Sequence, residues 1–85
     1  MIKPTVGRVV WYYPSGKSQL EAGTQPLSAQ VAYVHGDRMI NIGYLDHNGT
    51  ASSKTSVTLV QEGDEIPEHG FCMWMPYQIG QAKKH

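Results

Sequence analysis

Turn residues punctuate this chain at short, regular intervals, and that spacing limits what it can fold into. Pro14-Ser15-Gly16, Gly36-Asp37, Asp46-His47-Asn48-Gly49 and Glu62-Gly63-Asp64 each close a short run of β-branched and aromatic residues. Glycine tolerates left-handed backbone, and Asn and Asp bond to their own main chain, so such clusters reverse the chain direction. Helical periodicity between them is poor. The pattern is that of an all-β domain.

The first run is Val6 to Tyr13 and the second Ser28 to His35, which meets Gly36-Asp37, a hairpin signal of the primed-turn kind. The third, Arg38 to Leu45, ends at Asn48-Gly49, the strongest short turn dipeptide. Ser56 to Gln61 and Phe71 to Met75 complete the set. Residues 17–26 are polar with Gly23 and Pro26 and read as an exposed loop; residues 50–55 are small and polar. Five short strands with one long loop after the first predict a small five-stranded SH3-like barrel. An OB-like barrel usually places a helix between its third and fourth strands, and 46–55 is too short and glycine-rich for one.

The chain has 85 residues, which accommodates one hydrophobic core, so 1–78 is read as a single domain and 79–85 as a polar tail. After Pro76 there is room for at most a helical turn, and Gly80 weakens even that. Alternation puts Val9 with Trp11, Val31 with Tyr33, Ile40 with Ile42, and Val57 with Leu59 on shared faces. Val6, Val10 and Tyr12 lie opposite Val9 and Trp11. Both faces of the first strand are therefore apolar, which requires cover on two sides or an interface.

Lys plus Arg and Asp plus Glu number 7 each, a net charge of zero, which argues against general nucleic-acid binding. The start carries no signal-peptide core, and no apolar stretch approaches the roughly 20 residues that span a bilayer, so a cytosolic protein is expected. The single Cys72 cannot form an internal disulfide, and no Cys/His spacing suits zinc.

The aromatics offer the main binding signal. Trp11, Tyr12 and Tyr13 in one strand, with Trp74 and Tyr77 near the end, can fill the barrel or form a stacking platform for a base or a peptide. Arg8, Arg38 and Lys54 supply the charge beside it; Arg8 and Arg38 also have Glu62, Asp64 and Glu65 as surface partners. Amides near Asn48-Gly49, with Lys54 and Thr55, could cradle an anion, although no P-loop is present. His35, His47 and His69 sit at turns and His85 at the end, at no spacing that makes a triad or a metal site. Cys72, inside an apolar run, reads as a small buried hydrophobe with a raised pKa. No catalytic residue, cofactor or metal is expected.

The segments Lys3-Pro4 to Tyr13, Gln25 to Val34, Asn41 to Gly49, Thr55 to Gly63 and Phe71 to Lys83 run in an order that resembles small proteins of tailed phages and of prophages in enteric bacteria. The resemblance covers most of the chain and implies a phage product acting in the host cytoplasm, but it brings no activity and no site residues. The expectation is a non-enzymatic accessory binding module, for instance in counter-defence, with a host protein or a small nucleotide as partner. A homo-oligomeric tail or head assembly component and a nucleic-acid-binding module are the alternatives.

Overall fold

A computed structural model describes residues 1–83; Lys84, His85 and the side chains of residues 81–83, all within the polar tail expected above, lie outside the described residues. The elements are β1 (Val9–Tyr13), α1 (Lys17–Ala22), β2 (Leu27–Gly36), β3 (Met39–Leu45), β4 (Ala51–Val60), β5 (Phe71–Met73) and α2 (Pro76–Lys83). The strands close a barrel in the order β1-β2-β3-β4-β5, with β1 antiparallel to β5. The fold is the small all-β barrel of SH3-like type that the turn spacing predicts.

β2, β3 and β4 form a meander, and β5 lies parallel to β4 at Thr58–Val60. Val10, Tyr12, Ala29, Val31, Ile40, Ile42, Val57, Leu59, Cys72 and Trp74 fill the interior. The shared faces of Ile40 with Ile42 and of Val57 with Leu59 are those that alternation predicts. Val31 and Tyr33 part company: the β2·β3 register shifts between them, so Val31 is buried while Tyr33 is 56% exposed. A bulge inserts a residue and flips everything after it to the other face.

From Val10 onward β1 is apolar on both faces because it is covered on both, while Val9 at its start is exposed. Val10 and Tyr12 enter the barrel. Trp11 and Tyr13 pack in a second cluster with Val60, Phe71, Met73, Leu20 and Ile66. Tyr13 stacks on Phe71 at 5.2 Å between centroids. Leu20 belongs to α1, which corrects the reading of 17–26 as an exposed loop. Gln19 is buried there, its Oε1 accepting Ser15 N–H and its Nε2 donating to the Gln25 carbonyl. An anchoring Leu and a stitching Gln give six residues the tertiary support that short helices lack alone.

Other boundaries also move. β1 begins at Val9 instead of Val6, after a turn at Gly7, whose φ is 96°. The β2–β3 reversal falls at Asp37-Arg38, since Gly36 pairs with Met39. β4 begins at Ala51, so residues 51–55 are strand. The tail read for 79–85 starts instead as part of α2. Pro76 takes the first helical position, where its missing N–H is no loss, and the Gln78 side chain accepts the Met75 N–H as in half a capping box. Gln78 Nε2 donates to the Val9 carbonyl and Ile79 packs on the core, docking α2 beside β1.

Glycine is required where the 62–70 connection crosses the end of β1. Gly16, at φ 73°, lies so close to the Glu68 carbonyl that no Cβ fits, and a Cβ on Gly70 would sit 2.9 Å from the Pro14 carbonyl oxygen. Lys17 N–H donates to Pro67 O on the same crossing.

Candidate functional site

The β5 strand is only three residues long, so β4 outruns it. Beyond Thr58 the barrel wall opens into a cleft of about 290 Å³ lined by Tyr12, Pro14, Lys54, Ser56, Val57, Thr58, His69 and Gly70. Lys54 pairs across the ladder with Ile42, and Ser52 with Tyr44. Directly opposed residues share a face, so β4 presents serine and lysine on the inner face where its other half presents Val57 and Leu59. Polar residues belong there because this end of the barrel is wet.

The polar groups converge without a carboxylate among the lining residues. His69 Nε2 lies 3.5 Å from Thr58 Oγ1. Lys54 makes no ion pair among the described residues. Tyr12 is 5% exposed and has no side-chain hydrogen bond, yet no buried polar side-chain atom among the described residues lacks a partner. Its hydroxyl therefore reaches solvent while its ring stays in the core, 4.9 Å from that of Tyr44. Burial, then the neighbouring Tyr44 and Cys72, raise the Tyr12 pKa, and the residue is part of the cleft lining.

Among the described residues Ser56 is the one non-glycine with positive φ, 54°. It sits in the β4 bulge, where the register shifts between Ile40 and Ile42, and its N–H is held by Asn41 Oδ1 at 2.8 Å. The same oxygen accepts from His35 Nε2 at 2.9 Å. An anchored left-handed serine at a concave site is a place where backbone strain and position go together.

The stacking platform is not formed. Tyr12, Tyr13 and Trp74 are buried and Trp11 is half-buried, because both faces of β1 are needed as core; of the named aromatics only Tyr77, 73% exposed, stands free in solvent. Arg8 lies 5.9 Å from the Trp74 ring as a cation–π lid. Arg38 forms a two-pronged ion pair with Asp64, at 2.8 and 3.1 Å. Arg38 and Asp64 are thus the surface pair that their charges suggest. Of the eight residues named from sequence, the structure brings Tyr12 and Lys54 together at the cleft.

The amide cradle at Asn48-Gly49 is already filled. Asp46 Oδ1 accepts the N–H groups of Asn48 and Thr50, each at 2.9 Å, so the chain supplies its own anion. His69, read as solvated, and Ser56 and Thr58 are the cleft residues that the sequence did not single out. Their positions depend on the bulge and on the 62–70 crossing, for which no local motif exists.

Cys72 is fully buried and its thiol is pushed up to about 12 by desolvation, so it behaves as the small hydrophobe expected. Among the described residues no group of three His, Cys, Asp or Glu side chains could hold a metal ion, and no helix is long and apolar enough to cross a membrane. A second, shallow groove of about 460 Å³ lies outside the sheet, over Ser28, Gln30, Ala32, Gly43 and Ala51, between Val9 and Leu45.

Compared with protein-family models, with curated proteins and with solved structures, the chain finds no match in any of the three.

Proposed function

We propose that this chain is a non-enzymatic binding module, a phage-encoded accessory protein of the host cytoplasm, that holds an anionic group of a host protein in the cleft beside β4. One observation carries the reading: Lys54, His69, Ser56, Thr58 and Tyr12 meet around one cavity with no acidic residue in its lining. Such a set offers donors and positive charge to a carboxylate or phosphate. Its one hydroxyl–imidazole contact, Thr58 with His69 at 3.5 Å, is long and has no carboxylate in the lining to orient the ring, so the set favours binding over covalent catalysis.

A host protein is favoured over a free nucleotide signal for two reasons. The cleft lies at the lower edge of the about 300–1,000 Å³ usual for small-molecule sites. Tyr12, Tyr13 and Trp74, three of the rings that would stack on a base, are turned into the core.

The test is a titration of the folded chain with inorganic phosphate, acetate, and mono-, di- and cyclic nucleotides, followed by amide and side-chain NMR and by melting temperature. A ligand that binds only the native state raises the melting temperature by mass action. Simple anions are expected to shift the signals of Lys54, Ser56, Thr58 and His69, and Lys54→Ala to abolish the shift. Nucleotides should add nothing beyond their phosphate. No response at those residues to any anion at millimolar concentration would remove the proposal, and a base-dependent gain in affinity would replace the host protein with a nucleotide.

The outer groove favours one second reading, a component of the virion or of its assembly. Val6, Val9 and Leu45 are exposed at 68%, 42% and 45%, apolar surface of the kind buried between subunits. Light scattering of the purified chain and mass spectrometry of virions decide it: a monomer absent from particles excludes a structural role.

A further inference from the structure

Resting on the cleft reading above, we infer that the partner enters as an extended acidic segment, which adds a strand to the free edge of β4 and places a carboxylate against Lys54. β4 runs from Ala51 to Val60, but β5 pairs with it only at Thr58, Leu59 and Val60. On that side residues 51–57 have no strand partner among the described residues, and 51–56 are all exposed. A strand edge left this way presents alternating N–H and C=O groups that accept an added strand.

The space beside the edge is built, not incidental. Gly70 approaches the Pro14 backbone too closely for a side chain, and the segment preceding β5 forms no ladder with β4 before Thr58. The cleft opens in the gap so left, with Lys54 and Ser56 on one wall and His69 and Pro14 on the other. An added strand lying where β5 would continue has this cavity under one of its side chains.

Charge selects the occupant. Lysines and bulges on edges are devices that prevent sheets from pairing indiscriminately. Lys54 and the Ser56 bulge do this here against a second copy, because edge-to-edge pairing brings two Lys54 side chains into one neighbourhood. The same lysine favours a strand carrying Asp or Glu, since repulsion of one partner and attraction of the other set specificity together. The backbone edge supplies affinity that depends little on sequence, and the cleft reads the acid.

The probe is a displayed library of random heptapeptides, selected on the full chain, with the enriched peptides then synthesised. The inference expects peptides that share an acidic residue at a fixed place and that perturb alternate amides within 51–57. N-methylation of alternate peptide nitrogens should abolish binding, since it removes the strand's donors while keeping its charge. Lys54→Ala should weaken binding about tenfold, the loss of one charge-assisted hydrogen bond, while Lys54→Arg retains it. Failure to enrich any peptide, perturbations confined to other surfaces such as the outer groove, or indifference to N-methylation each overturn the inference. The phosphate titration separates the two claims. Anions that titrate the cleft while no peptide maps to 51–57 leave the cleft and remove the strand. Peptides that map to 51–57 but ignore Lys54→Ala keep the strand and remove the cleft.

Discussion

The indole N–H of Trp74 donates to the side-chain oxygen of Gln61 at 3.2 Å, inside the protein. Gln61 is 2% exposed, and its amide is saturated: Oε1 also accepts the Ile2 N–H, and Nε2 donates to the carbonyls of Ile2 and Asp37. One side chain thus ties the N-terminal segment, the β2–β3 turn and the residue after β5 to the end of β4.

Gln61→Ala should therefore be among the most damaging single changes in the chain. It strands the buried indole N–H of Trp74 and removes three part-buried bonds to the main chain of Ile2 and Asp37. An effect of about 3 kcal/mol is expected, or a fall in Tm of about 12–24 °C for a domain this small. Urea unfolding followed by tryptophan fluorescence measures it. A loss below about 1 kcal/mol means that the hub holds little together.

Gly16 and Gly70 should differ when each is changed to alanine. At Gly16 the new Cβ meets the Glu68 carbonyl and the φ of 73° is itself unfavourable by about 1–2 kcal/mol. At Gly70 the Cβ contact with Pro14 is the only penalty. Gly16→Ala is expected to shift the denaturation midpoint further; equal or reversed shifts would contradict the crossing geometry.

Stability should decline at alkaline pH. Burial pushes the Cys72 thiol to about 12 and raises Tyr13; burial, then Tyr44 and Cys72, raise Tyr12. Between the ordinary values of these groups and their raised ones, the native chain keeps protons that the unfolded chain releases. Stability is thus complete below the unfolded values and falls as pH rises. Urea midpoints at about pH 7, 9 and 11 test the sign. At neutral pH a thiol reagent should modify Cys72 only as fast as the protein opens.

Asp64 carries the acid-side counterpart. The hydrogen bond from Arg38 and then the Gln61 N–H hold its carboxyl below the usual range. A depressed folded value means that the stabilisation is present above the unfolded pKa and is lost as pH falls through the folded one. In Arg38→Gln, carbon-detected NMR should find Asp64 titrating at higher pH, with part of the depression left by Gln61. An unchanged titration would show that the ion pair has no influence.

Much of this fold is legible in the amino-acid sequence, and the misses share a cause. Asn48-Gly49 marks a true reversal, and the alternation at Ile40, Ile42, Val57 and Leu59 finds the inner face. The first half of β4 escapes because its inward positions, Ser52 and Lys54, face water, so the apolar alternation that reveals strands is absent. Tyr33 is misplaced by a bulge with no glycine to announce it. Trp74 is buried through a partner thirteen positions earlier in the chain, a bond no local pattern encodes. Tyr12 and Lys54, both named from the sequence, do meet at the cleft, but in a different arrangement from the expected aromatic platform. The cleft joins 12–14, 54–58 and 69–70, and only barrel closure brings those stretches together.

That closure also sets an order of events. The hairpins of β2, β3 and β4 join neighbours in sequence, whereas β5 ties Trp11, Tyr12 and Tyr13 to Met73, Cys72 and Phe71 from almost the opposite end of the chain. Long-range pairings are the slow step in folding, because loop entropy is lost before their contacts form. The meander should therefore assemble first and wait, open on both margins, for a latch of three residues. Truncating Ile42 to Ala should slow refolding, while truncating Met73 to Ala should chiefly hasten unfolding, and stopped-flow kinetics on the two variants would separate nucleus from latch. Until the latch engages, the β4 edge is one of two unguarded borders, and the pocket beside it has only one wall.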